Sequence, residues 1–109
     1  MIDGLVAGRL HSAPGERIDK GGNGFVVAKV LAAASEGENL IVNVIAFDKE
    51  VCNALLALRD GDSLALAGSL TPRVWTDKQG NTRPSLDMVA NGVLTAHHAA
   101  HRRDALDGG

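Results

Sequence analysis

The stretch Ala67–Ala90, AGSLTPRVWTDKQGNTRPSLDMVA, decides how this chain is read. Two strand-like runs meet at Asp77-Lys78-Gln79-Gly80-Asn81, a cluster of turn-forming residues between alternating segments. The only tryptophan, Trp75, stands on one arm of this hairpin, with Arg73, Lys78 and Arg83 around it.

Working outward, Ile2 to Leu10 alternates with period two, Ile2, Gly4, Val6, Gly8 and Leu10 on one parity, and reads as a strand. Pro14-Gly15 and Gly21-Gly22-Asn23-Gly24 enclose a polar loop holding Arg17 and Lys20. Phe25 to Ala34 is a second strand, with Phe25, Val27, Lys29 and Leu31 on one face, and Leu40 to Asp48 is a third. From Lys49 to Leu58 the period changes, because Val51, Ala54, Leu55 and Leu58 recur at spacings of three and four, the mark of an amphipathic helix. Asp48 is placed to cap it, and Asp60-Gly61-Asp62 stops it. Ser63 to Val74 and Arg83 to Leu94 complete the hairpin, and residues 96–109 form a polar, histidine-rich tail expected to be flexible. No internal repeat is expected.

Five strands with a helix between the third and fourth is the order of an OB-fold. The fold class predicted is therefore all-β, a five-stranded Greek-key barrel over residues 1–95 with one short helix and a long hairpin between strands 4 and 5. Several strands are apolar on both faces, notably Leu40 to Phe47. A closed barrel buries one face, so the surplus is expected to meet another subunit.

Composition narrows the function classes. Of 109 residues 45% are hydrophobic, yet only Phe25, Phe47 and Trp75 are aromatic, so the core must be built from small side chains. There is one domain's worth of chain, no apolar run of membrane-spanning length, and no secretion signal, which leads to the expectation of a cytoplasmic protein with no membrane partner. The single Cys52 forms no intramolecular disulfide and is expected to pack as a small hydrophobe. The net charge is −2, but the segment from Arg73 to Arg83 carries +2 and leaves −4 for the remainder. A basic hairpin on a weakly acidic body can hold a polyanion while limiting non-specific affinity.

The candidate residues follow from that charge distribution. Trp75 lies beyond the apolar part of its strand, where a core is hard to reach, and its exposed ring would stack on bases. Arg73, Lys78 and Arg83 would meet phosphates around it. Phe47, beside Lys49, either stacks or fills the barrel, and Phe25 is assigned to the core. Lys29 is a charge within an apolar strand and should face solvent or a phosphate. His97 and His101 would share a helix face with His98 nearby, but a structural zinc needs four ligands and no further partner is suitably spaced, so no metal is assigned. Gly21 to Gly24 fits neither the P-loop nor the dinucleotide pattern, so no cofactor is assigned. No nucleophile with a base and a third partner is present, which marks the chain as a non-enzyme.

In VNVIAFDKEVCNALLALRDGDSLALAGSL and RVWTDKQGNTRPSLDMVA the sequence resembles bacterial single-stranded DNA-binding proteins (SSB), a similarity running from about Ile2 to Val93. The resemblance implies an OB-fold assembled as a homotetramer, with a homodimer as the alternative, that wraps single strands without sequence preference in replication, recombination or repair. By motif position it makes Trp75 and Phe47 stacking residues and Arg73 and Lys78 backbone contacts. Where the family commonly has an aromatic near the start of the third strand, this chain has Ile41, and Asp48 stands where a glycine often follows the strand's Phe. The family's flexible linker and acidic tail ending in phenylalanine have no counterpart, so recruitment of replication or repair partners by that route is not expected. A more distant resemblance, to primosomal replication protein n, implies instead a dimeric OB-fold that bridges replication factors. A third reading is an OB-like domain whose apolar surface serves assembly alone.

Overall fold

A computed structural model describes residues 2–33 and 39–95. Its elements in chain order are β1 (Ile2–Leu10), β2 (Gly15–Ile18), β3 (Gly24–Ala33), β4 (Asn39–Ala46), α1 (Lys49–Leu56), β5 (Ser63–Thr76) and β6 (Thr82–Thr95). The sheet runs β1-β5-β6-β4-β3-β2, and a further pairing of β1 with β3 closes five of the strands into a ring. All ladders are antiparallel except β4 with β6, which run parallel. This is the expected all-β OB barrel, with a sixth strand added at the free edge of β3.

That sixth strand corrects the reading of residues 14–24 as a plain polar loop. Gly15 to Ile18 pairs residue by residue with Val27 to Gly24. Charged residues and two flanking glycines hid a strand whose one sheet neighbour supplies the pairing that its own side chains do not demand.

The interior follows the alternation. Val26, Ala28 and Val30 of β3, Val42, Val44 and Ala46 of β4, Leu64 and Leu66 of β5, and Met88 and Ala90 of β6 are buried. Their opposite-parity neighbours face outward, because successive strand side chains point to opposite sides. No aromatic ring lies in this buried set. Val51 and Leu55, at helical spacing, plug one end of the barrel from α1. Asp48 caps the helix by accepting from the Glu50 and Val51 N–H groups at 2.9 and 3.2 Å. The helix ends at Leu56, two residues earlier than its periodicity suggested, and Leu58 instead packs on the core from the turn that follows. Cys52 is half-buried beside the core, as expected, and its Sγ donates to the Ala46 carbonyl at 3.1 Å.

Two backbone contacts set the curvature. At Gly8, where β1 passes from β5 to β3, a Cβ would stand 2.2 Å from the Leu31 carbonyl oxygen. At Gly68 one would stand 2.1 Å from the Val89 oxygen. Beside Gly68 the β5–β6 register slips: Ala67 faces Gly92 and Gly68 faces Ala90, so Asn91 is an extra residue, a β-bulge. The inward parity of β6 therefore changes from Met88 and Ala90 to Val93, which pairs with the buried Leu66. The end of β1 is tied down as well, since Leu10 N–H donates to the Asp62 carbonyl and Gly61 N–H to the Leu10 carbonyl, both at 2.9 Å.

Gly8→Ala should lower stability by about 2–4 kcal/mol, because the backbone oxygen facing it cannot step aside without opening the β1–β3 seam. A urea titration followed by far-UV circular dichroism measures this, and an unchanged midpoint would show that the seam tolerates a Cβ.

Candidate nucleic-acid interface

Cross-strand partners share a face of the sheet, so the register specifies what the outer surface carries. One row across β3, β4, β6 and β5 reads Lys29, Asn43, Asp87, Thr71. The row on one side reads Leu31, Ile41, Ser85, Arg73, and on the other side Val27, Ile45, Val89, Ser69. Val27, Ile45 and Val89, with Thr71, Arg73 and Asp87, line a depression of about 660 Å³. Beyond Arg73 the β5–β6 arm leaves the barrel, and Trp75 faces Arg83 across it.

Trp75 is 45% exposed, in keeping with its expected place on the surface. It borders a second depression with Leu40, Ile41, Arg83 and Pro84. Lys29 is exposed, as a charge on the outer face of an apolar strand should be. Phe47 is 58% exposed just past the end of β4, which removes the barrel-filling alternative. Phe25 is not a core residue: it sits on the outer parity of β3, and its ring centroid lies 5.9 Å from that of Phe47 at an interplanar angle of 43°. The described aromatics thus fall at two stations, Phe25 with Phe47 and Trp75 beside Ile41. The six residue steps from Ile41 in β4 to Phe47 just beyond it put roughly 20 Å between them, at about 3.3 Å per residue.

The cations are less free than their count suggests. Arg73 Nε donates to Asp87 Oδ2 at 2.9 Å, and Asn43 Nδ2 donates to the other oxygen of that carboxylate at 3.3 Å. Arg83 Nε donates to Asp77 Oδ2 at 3.1 Å. With Asp87 brought in by the register, the three cations of the arm face two carboxylates and the local excess falls from +2 to +1. Each pair uses only Nε of its guanidinium, so the terminal Nη groups keep donors for a phosphate or a base edge. Lys78 sits exposed at the tip with neither.

That tip is a compact turn. Asp77 N–H donates to the Asn81 carbonyl at 2.9 Å, Gly80 N–H to the Asp77 carbonyl at 3.0 Å, and Asp77 Oδ1 accepts from Gln79 and Asn81 N–H at 3.0 and 2.9 Å. Asp19-Lys20-Gly21-Gly22-Asn23, between β2 and β3, repeats all four bonds with Asp19 in the same role. The fourth residue of each, Gly22 and Gly80, has φ of +83°, which a side chain would strain. The shared pattern Asp-Lys-x-Gly-Asn, against the expectation of no repeat, was the signal in the sequence that Gly15 to Gly24 is a hairpin like the first.

Solved structures with a similar fold include the mitochondrial single-stranded DNA-binding protein Rim1 of S. cerevisiae, at 17% identity and a TM-score of 0.66, covering 87% of this chain and 94% of that one. Another is the small single-stranded DNA-binding protein of Streptomyces coelicolor, at 22% identity and a TM-score of 0.68, covering 86% and 93%. This chain shares their fold. No protein-family model and no curated protein matches the sequence.

Sequence reasoning missed Asp87, Asn43 and Arg17 on this OB-fold surface. Asp87 and Asn43 were unmarked because the parallel β4–β6 pairing that joins them spans 44 residues. Arg17 faces Phe25 across the β2–β3 ladder. Among the described residues no group of His, Cys, Asp or Glu is arranged to hold a metal, and none of the helices is long and apolar enough to cross a membrane. The histidines at 97, 98 and 101 lie outside the described residues.

Hydrogen bonding sets the charge state of the tip. The Asn81 N–H holds the Asp77 carboxyl below the usual carboxylate range, helped by the Arg83 hydrogen bond, the Gln79 N–H and the Arg83 charge, against partial desolvation. A carboxyl whose folded pKa is lowered stabilises the fold above its unfolded value, near 3.9, and that contribution is lost as pH falls through the lowered folded value. Trp75 emission should therefore stay constant down to about pH 4 and change below it as the tip loosens. Asp77→Asn should abolish that acid step, and an unaltered step in the variant would assign it elsewhere.

Proposed function

We propose that this chain binds single-stranded DNA without sequence preference, acting by binding rather than catalysis and without a cofactor. The observation that carries this reading is the outward-facing Trp75, set against Arg83 with Arg73 and Lys78 on the same arm, on the sheet face that OB-folds commonly use for oligonucleotides. In this reading Trp75 and Phe47 stack on bases, while Arg73, Lys78, Arg83, Lys49 and Lys29 follow the phosphates. The names of the structural neighbours, both single-stranded DNA-binding proteins, support this reading, and the role it implies is in replication, recombination or repair. A cytoplasmic location accords with the unpaired Cys52.

Assembly is part of the proposal. Away from the arm, the outer face of β1, β5 and the end of β6 carries Leu5, Ala67 and Gly92 in one row and Ala7, Ala65 and Leu94 in the next. Leu5 is 79% and Leu94 41% exposed, and the small residues around them leave a smooth apolar patch that a second copy of the chain would cover. A homo-oligomer, tetramer or dimer, accounts for the apolar surplus that the barrel does not bury. The bridging role of a primosomal dimer would use this patch without needing the arm.

Oligo-dT should quench Trp75 fluorescence, and log affinity should fall with log salt by about 0.7 for each phosphate neutralised. Trp75→Ala should weaken binding by about five- to a hundredfold, the worth of one stacked base, with the mass in solution unchanged. Absence of quenching and of gel retardation at low salt would overturn the reading. Loss of the oligomer in Trp75→Ala would make that residue structural.

Asp87 competes with phosphate for Arg73. Asp87→Asn should therefore tighten binding several-fold at low salt and steepen the salt dependence. Weaker binding in that variant would mean that Asp87 orients Arg73 instead of competing for it.

A further inference from the structure

We infer that Phe25, Phe47 and Arg17 form a second base-stacking station, to which Phe25 and Arg17 contribute as much as Phe47. The inference rests on the single-strand reading above and extends it to residues that the Trp75 arm does not include.

Three observations carry it. First, Phe25 and Phe47 lie with centroids 5.9 Å apart and rings tilted by 43°, a contacting aromatic pair in which each ring restrains the other while Phe47 remains 58% exposed. A paired ring is a more rigid platform than a lone one, and it loses less freedom when a base lands on it. The pair is not needed to fill the barrel, since the buried set is aliphatic.

Second, Arg17 is the cross-strand partner of Phe25 and so shares its face. The guanidinium lies back along β2 over Gly15, where a Cβ would be 3.0 Å from Nη1, and Nη1 donates to the Glu16 carbonyl at 3.2 Å. Gly15 thus leaves a bed for it. No carboxylate pairs with Arg17 among the described residues, in contrast to Arg73 and Arg83.

Third, apart from the exposed Glu50, the acidic groups nearest the pair in the chain are occupied or turned away. Asp48 is engaged in capping α1 and Asp19 in closing its turn, while Glu16 is on the opposite parity of β2. Lys20, in the turn between β2 and β3, and Lys49, at the start of α1, are exposed cations near Phe25 and Phe47 in the chain. An apolar double ring bordered by unpaired cations complements an unpaired base with its flanking phosphates. It is a poor match for a second copy of this weakly acidic chain's apolar patch.

The test uses the full chain and fluorescein-labelled dT oligonucleotides by anisotropy, with a backbone-matched abasic oligonucleotide as control. Phe25→Ala should weaken dT binding by about fivefold or more, and Phe25→Leu by a similar factor, because a branched alkyl group fills space without offering a π-face. Neither change should alter abasic binding or the solution mass. Arg17→Ala should weaken dT and abasic binding alike and reduce the salt slope by about 0.7. If the wild type binds dT and Trp75→Ala weakens it while Phe25→Ala does not, the second station is refuted and the Trp75 reading stands. If Phe25→Leu restores what Phe25→Ala loses, Phe25 is packing and the station is again refuted. Failure of the wild type to bind dT would remove both readings together.

Discussion

Closure of the barrel at the β1–β3 seam is the constraint on which the rest depends. It is made where Arg9 and Leu10 pair with Leu31 and Val30, and it requires the backbone at Gly8 to approach the Leu31 carbonyl more closely than any side chain permits. Without that seam the sheet would be an open ribbon, and β1 would have no second neighbour. With it, an aliphatic interior of Val, Ala and Leu suffices, because a small closed barrel has little volume to fill. The aromatic residues are then free to stand outside.

The same economy shapes the outer face. Cations are placed by register, but so are the carboxylates that restrain them. Arg73 and Arg83 are each held through Nε, which fixes the guanidinium plane and leaves its far edge available. An exposed ion pair of this type is worth little to stability. Its larger effect is on which geometry a ligand meets.

Much of this was legible in the sequence because local periodicity reports burial. The alternation of Val6 with Leu10, the helical spacing of Val51 with Leu55, the Asp48 cap and the arm carrying Trp75 all emerge from residues close together in the chain. What was not legible depends on long-range register. Phe25 looked like a core residue because an aromatic opening an apolar strand gives no sign of which face it will take, and only the buried Val26 beside it decides that. Asp87 gave no sign of meeting Arg73 and Asn43 together, since β4 must first align in parallel with β6, 44 residues on. β2 was hidden by its charges, although the Asp-Lys-x-Gly-Asn turn shared with the long arm marked its end.

The placement of β6 has a consequence for how the chain acquires its structure. β6 pairs with β5 on one side and, in parallel, with β4 on the other, so the ring has no continuous wall until Thr82 to Thr95 is in place. During synthesis β1, β3 and β4 emerge first and must wait with an unpaired strand edge on β4. Contacts of such sequence separation make for slow folding and a sticky intermediate. For a chain of this design the hazardous interval lies before the last strand leaves the ribosome, and the keystone is the strand made last among those described.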